Sequence, residues 1–235
     1  MADFFGEFKA FEDAADLTRR LADRIQHLLD EGVRCRGRAS LVVSGGTTPV
    51  ALFDTLSGAD LAWDRISVTL TDERWVDPDD PDSNEHLVRT HLLKNKAAAA
   101  EFIGLKTPDL TAGAGEKTCV QRIRQILLPF DVLILGMGGD GHTASLFPRA
   151  AALPLALDLA RDSLCMAVAP PEAPHDRMTL TLPAILNSRQ IFVHIVGEKK
   201  RRVYETAIAE ESPEEMPIRA ILGQKRVPVT IWWSP

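Results

Sequence analysis

The stretch DVLILGMGGDGHTASLFP, Asp131 to Pro148, decides the fold. Its apolar, β-branched run from Val132 to Leu135 reads as a buried strand, and it ends abruptly in Gly136, Gly138 and Gly139. In α/β proteins ligands bind beyond the carboxyl ends of the strands, where the chain leaves the sheet. Glycines there let backbone amides approach a ligand, and Asp140 and His142 bring a carboxylate and an imidazole to the same place. A lone histidine reads as structural; one that follows a glycine turn and an aspartate reads as catalytic. Its unperturbed pKa of about 6.5 suits general-base work, and a neighbouring carboxylate can orient the ring and stabilise the imidazolium as it forms. This is the layout of an active site.

Outward from that stretch, the periodicity alternates between strand and helix. Leu17, Leu21, Ile25, Leu28 and Leu29 predict a helix over Asp13 to Glu31, followed by a buried strand over Ala39 to Val43. Pro49 suits the first turn of a helix that Val50, Leu52, Phe53 and Leu56 continue. Ile66 to Thr71 is a second strand, and a polar, proline-rich loop runs from it to Ser83. Asp82 with Glu85 resembles a capping box for a helix through Leu93, Lys94 to Ala100 is a helix end or connector, and a helix spans Gly115 to Leu128. Further on, Leu164 to Ala169, Met178 to Leu182 and Gln190 to Val196 read as strands, and Pro183 to Ser188 as a short helix. A basic helix starts at Glu198, and Val227 to Trp233 is an edge strand in which alternation buries one of Trp232 and Trp233. The pattern predicts an α/β fold: a mostly parallel sheet with helices on both faces, Rossmann-like, as a single domain over residues 1–235.

Composition narrows the classes. A hydrophobic fraction of 45% and a charged fraction of 26% are those of a globular chain that can build one large core. The net charge of −6 argues against bulk affinity for nucleic acid or membrane, though not against a small anion in a local basic pocket. Cys35, Cys119 and Cys165 lie far apart with no CxxC pair, which fits a reducing compartment and no structural zinc. The opening MADFFGEFKAFED lacks a basic segment followed by an apolar one, and no apolar run approaches the roughly 20 residues a membrane span needs. The expectation is a cytoplasmic protein, a monomer or weak homodimer.

Three more strand ends carry chemistry. SGGTTP, Ser44 to Pro49, frees the backbone at Gly45 and Gly46 and supplies hydroxyls from Ser44, Thr47 and Thr48 near a helix N-terminus. It reads either as an anion site or as a tight strand-to-helix turn. It is not a Walker loop, since GxxxxGK[ST] is absent. TDERWV, Thr71 to Val76, is either a solvated charged loop or a site in which Asp72 lies nearest the sheet edge and Arg74 pairs with it or meets a substrate oxygen. GEKKRRV, Gly197 to Val203, is a solvated basic helix face from which one residue can point into the site as a phosphate ligand.

In this order, SGGTTP, TDERWV with DPDSNEHLVR, GMGGDGHTASLFP, RMTLTLPAILNSRQIFV and GEKKR resemble the 6-phosphogluconolactonase family, a branch of the superfamily that also holds glucosamine-6-phosphate deaminase. The resemblance implies hydrolysis of 6-phospho-D-glucono-1,5-lactone to 6-phosphogluconate in the oxidative pentose phosphate pathway. Carried over residue by residue, Ser44, Gly45, Gly46, Thr47 and Lys200 hold the phosphate, with help from Arg177. His142 takes a proton from the attacking water with Asp140 nearby. Arg74 offsets charge on the substrate or the tetrahedral intermediate, and Asp72 hydrogen-bonds sugar hydroxyls or holds Arg74. A strained ester needs only activated water, charge stabilisation and positioning. No GxSxG elbow, no HExxH cluster and no cofactor motif is present, so neither a covalent nucleophile, a metal nor a cofactor is expected.

Two alternatives remain. The deaminases carry a carboxylate five residues after the histidine, where this chain has Phe147, and a phenylalanine cannot shuttle protons for ring opening and amine loss; DERWV in place of a deaminase-like DEY points the same way. A sugar-phosphate sensor would carry an N-terminal helix-turn-helix, but the sequence ahead of Ala39 offers one evident helix.

Overall fold

The computed structural model describes residues 6–209 and 212–235. The first five residues of the stretch read for a leader segment lie outside it. Seven strands form one parallel sheet in the order β1 (Glu7–Ala10), β10 (Val229–Ser234), β9 (Ile191–Val196), β6 (Val132–Leu135), β2 (Ala39–Val43), β3 (Ile66–Leu70), β5 (Glu101–Ile103). Three more, β4 (Asp72–Arg74), β8 (Arg177–Leu180) and β7 (Cys165–Val168), form a small antiparallel sheet in that order. The helices are α1 (Ala14–Arg36), α2 (Val50–Ser57), α3 (Asn84–His91), α4 (Ala112–Ile123), α5 (Leu153–Leu157), α6 (Leu182–Ile185), α7 (Glu198–Ala207) and α8 (Ile218–Leu222). The central strands β2 and β6 are buried at every position, as expected of parallel strands covered on both faces. No helix among the described residues is long and apolar enough to cross a membrane.

The α/β reading holds, with local corrections. The carboxyl-terminal strand is interior: β10 pairs with β9 on one side and with β1 on the other. Both of its faces are therefore covered, and both tryptophans are buried. Trp233 packs under Arg201 of α7, while Trp232 stacks on Phe11 and meets Phe192 edge-on. The strand β1 escapes a reading by alternation because EFKA carries two charges in four residues. Helix α1 runs on to Arg36, where Gly37 ends it in the left-handed conformation. Ser83, not Asp82, caps α3, its hydroxyl accepting from the His86 amide. Pro49 sits at the cap of α2, one residue before the helix begins, and α4 starts at Ala112 because the Thr111 hydroxyl accepts from the Ala114 amide.

Asp131 ties the centre together. It is buried at the foot of β6, where its carboxylate accepts from the Ser40 amide of β2 at 2.8 Å and from the Arg36 guanidinium at the end of α1, while its own amide donates to the Ser40 hydroxyl at 3.0 Å. One side chain thus sets the height of β6 against β2 and closes α1 over both. Removing it leaves a buried amide and a guanidinium unpaired. Asp131→Ala is expected to cost about 3 kcal/mol of unfolding free energy in urea titration, with activity per folded molecule retained. A loss below about 1 kcal/mol would mean the neighbouring groups find other partners.

Candidate active site

Four chain segments leave the carboxyl edge of the sheet side by side. After β6 the chain turns through Gly136 to Gly141, with the Gly138 amide donating to the His142 carbonyl at 2.8 Å. The turn places the Asp140 carboxylate 2.6 Å from His142 Nδ1, and the same oxygen accepts from the His142 amide at 3.1 Å. Gly138 is required there: a Cβ at that position would lie 2.1 Å from His142 Nδ1 and 2.5 Å from an Asp140 oxygen. Burial pushes the Asp140 carboxyl up, but the hydrogen bond and charge of His142 outweigh it and hold it down to about 2. Asp140 is therefore an ionised partner that fixes the imidazole through Nδ1 and leaves Nε2 for chemistry. The His142 ring lies 4.5 Å from the ring of Phe147, centroid to centroid.

After β2, Ser44 to Thr48 curl into a turn ahead of α2. Gly45 packs against the Asn84 amide so closely that a Cβ would lie 1.8 Å from its oxygen. Ser44 to Pro49, Gly138, His142 and Lys200 line one cleft of about 370 Å³, together with Asp72, Arg74 and Asn84. Lys200, in the first turn of α7, donates from Nζ to the Met137 carbonyl at 2.6 Å. Burial lowers its pKa, against the pull of Asp140. Hydroxyls, a glycine turn and a lysine in one cleft are the composition of a phosphate site.

TDERWV is not a loop. Asp72, Glu73 and Arg74 are the three residues of β4, and each points to a different task. The buried Asp72 carboxylate accepts from Ser145 Oγ at 2.6 Å and Thr71 Oγ1 at 3.0 Å, which anchors the segment after His142. Glu73 is fully buried and accepts from the amides of Asn84 and Glu85, both at 2.7 Å, from the Arg74 amide at 2.7 Å and from Ser83 Oγ at 3.1 Å. It thereby seats the N-terminus of α3. Burial pushes its carboxyl up to about 7, against those three amides, and the charge of Asp72 adds to the rise. Arg74 does not pair with Asp72; its guanidinium donates to the Asp82 carbonyl.

The structure therefore brings Ser44, Gly45, Gly46, Thr47, Asp72, Arg74, His142 and Lys200 to one cleft. Asp140 stands behind His142. Arg177 does not line that cleft. It lines an adjoining hollow of about 320 Å³ that shares Asp72, Arg74 and His142 with the first. A larger, more apolar hollow of about 890 Å³ lies beyond His142, walled by Phe147, Pro148, Leu153 and Pro171 and rimmed by Glu172, Glu214 and Glu215. Sequence reasoning missed Glu73, Asn84 and Ser145, whose roles depend on contacts between distant segments. It also missed His194 of β9 in the cleft, where burial pushes the imidazole down to about 4 and keeps it neutral.

Comparison with known proteins gives a consistent picture. The family model described as glucosamine-6-phosphate isomerases/6-phosphogluconolactonase matches residues 12–232. The chain is 42% identical over 226 residues to a 6-phosphogluconolactonase of Pseudomonas aeruginosa, covering 96% of this chain and 92% of that protein. It is 41% identical to one of Mesorhizobium japonicum, covering 97% and 95%. The crystal structure of a 6-phosphogluconolactonase from Shewanella baltica superposes with a TM-score of 0.96 at 47% identity, covering 99% of this chain and all of that one.

The environment of Glu73 predicts a pH dependence. Its folded pKa of about 7 lies above the ordinary 4.5, so between those values the folded protein holds a proton that the unfolded chain has lost. Stability contributed by this group falls as pH rises through that window and is level above it. In denaturant titrations from pH 4.5 to 8, the difference between the wild type and Glu73→Gln is expected to shift against the wild type up to about pH 7 and then flatten. A difference that stays flat throughout would place the Glu73 pKa near its ordinary value.

Proposed function

The chain belongs to the glucosamine-6-phosphate isomerase and 6-phosphogluconolactonase family, and from that membership we propose that it hydrolyses 6-phospho-D-glucono-1,5-lactone to 6-phospho-D-gluconate. One observation carries the reading: His142, held by Asp140, lines the same cleft as the Ser44–Thr47 turn and Lys200. A phosphate held at the turn and Lys200 leaves the sugar ring lying toward His142.

Asp140 accepts a hydrogen bond from Nδ1–H and stays ionised, so Nε2 takes a proton from water as the water oxygen bonds to the lactone C1. The tetrahedral intermediate carries a negative oxygen, whose charge Arg74 offsets. His142 returns its proton to the ring oxygen as the C1–O bond breaks, which gives the free hydroxyl; the new acid ionises to the carboxylate. Asp72 acts at one remove, through Ser145, by holding the segment on which His142 stands. Phe147, its ring tilted against that of His142, supports the lactonase over the deaminase reading, because it fills the side of the ring where a proton-shuttling carboxylate would be needed. The reaction places the protein in the oxidative pentose phosphate pathway, as a cytoplasmic enzyme acting without metal or cofactor.

Loss of freshly generated lactone, corrected for spontaneous hydrolysis, tests this directly, with ammonia release from glucosamine 6-phosphate measured in parallel. His142→Ala is expected to lower kcat by about 100- to 10,000-fold; near wild-type turnover would remove His142 as the base. Gly138→Ala, which drives a methyl into the Asp140–His142 bond, is expected to lower kcat by about 100-fold while leaving the phosphate end of the cleft intact. Equal turnover in that variant would mean the pair is dispensable. Ammonia without lactone loss would favour the deaminase.

A further inference from the structure

We propose that Arg74 and Arg177 form a second anion subsite, across His142 from the Ser44–Thr47 turn, that takes the carboxylate end of a phosphorylated aldonate. The proposal rests on the lactonase reading, in which such a compound is the product. Arg74 and Arg177 stand directly opposite each other in the antiparallel pair of β4 and β8. Like charges in that position repel and destabilise the pairing unless something of opposite charge lies between or beside them.

Arg177 is only 5% exposed, and among the described residues its Nη1 has no hydrogen-bond partner. Burial lowers its pKa and Arg74 lowers it further, with Asp72, Glu73 and Asp82 pulling the other way. None of those acids accepts from it. Asp72 is taken by Ser145 and Thr71, Glu73 by the start of α3, and the Asp82 carboxylate faces His175 at 3.1 Å. The fold therefore supplies compensating charge but no acceptor, an arrangement completed by a ligand oxygen. A planar carboxylate suits guanidinium donors.

The position fits the two ends of one molecule. The hollow lined by Arg177 shares Asp72, Arg74 and His142 with the phosphate cleft, whereas Lys200 and the Ser44–Thr47 turn line only the latter. A ligand with phosphate at one end and carboxylate at the other can occupy both with its C1 beside His142. The lactone is neutral at C1, and charge appears there only as water attacks. Donors placed at this end bind the intermediate and product more tightly than the substrate, so they raise kcat and also retain product.

The test is calorimetric binding of 6-phosphogluconate and of glucitol 6-phosphate, which has the same chain with a hydroxymethyl group in place of the carboxylate. The wild type is expected to bind 6-phosphogluconate at least about 10-fold more tightly. Arg177→Gln is expected to abolish that preference while changing glucitol 6-phosphate binding by less than about 3-fold. Should Arg177→Gln fail to fold, Arg74→Gln is expected to reduce the same preference. Equal affinity of the wild type for both ligands overturns the subsite. So does a parallel loss of both ligands in Arg177→Gln, which would assign Arg177 to the phosphate. If neither ligand binds the wild type, the phosphate-site reading on which the proposal rests falls first.

Discussion

The site depends on two adjacent buried carboxylates that bind in opposite directions. Asp72 reaches Ser145 and Thr71, and Glu73 reaches the first amides of α3. Between them they tie β4 to the segment after His142 and to the start of α3. The Asn84 side chain extends the connection: its Nδ2 donates to the Asp72 carbonyl at 2.8 Å, and its oxygen lies against Gly45. Buried charges are costly unless fully satisfied, and fully satisfied ones permit few alternative arrangements. Here that cost is turned into rigidity in the segments that carry His142, Arg74 and the Ser44–Thr47 turn.

The small antiparallel sheet is the device that makes this possible. A parallel sheet alone presents loops at its carboxyl edge, with nothing but their own turns to fix them. By pairing β4 with β8, the chain sets Arg74 and Arg177 on a ladder, and β4 delivers Asp72 and Glu73 at fixed heights above the main sheet. The chemistry then requires little more than position. Asp140 is kept ionised by His142, and the polar cleft, though smaller than the apolar hollow beyond Phe147, gathers the groups that can move a proton or hold a phosphate.

Much of this was legible in the sequence, and the reasons differ by element. Strands β2, β6 and β9 are apolar runs closed by glycine or serine, so both their existence and their exits could be read directly. Asp140 and His142 share one turn, and their contact follows from local geometry. Glu73 could not be read in the same way: DER looks like any charged loop until α3 is placed on top of it. β10 was misread as an edge because its neighbour β1 has too few apolar residues to announce itself. Arg177 stands one residue ahead of the strand read from Met178 and entered only through the resemblance; β8 includes it, and which cleft it lines is decided by the β4–β8 pairing, which only the assembled fold contains.

The pairing of β1 with β10 also orders events in time. Glu7 to Ala10 lie opposite Thr230 to Trp233, the longest loop closure in the sheet and among the most expensive in chain entropy. During synthesis β1 is made well before β10 and stays without this partner until β10 follows. The core built on β2, β3 and β6 can assemble in the meantime, because its strands lie closer together in the chain. Its two charges then matter in a second way: a strand that waits unpaired is a site of mistaken association, and the Glu7 and Lys9 side chains make it a poor template for any other edge.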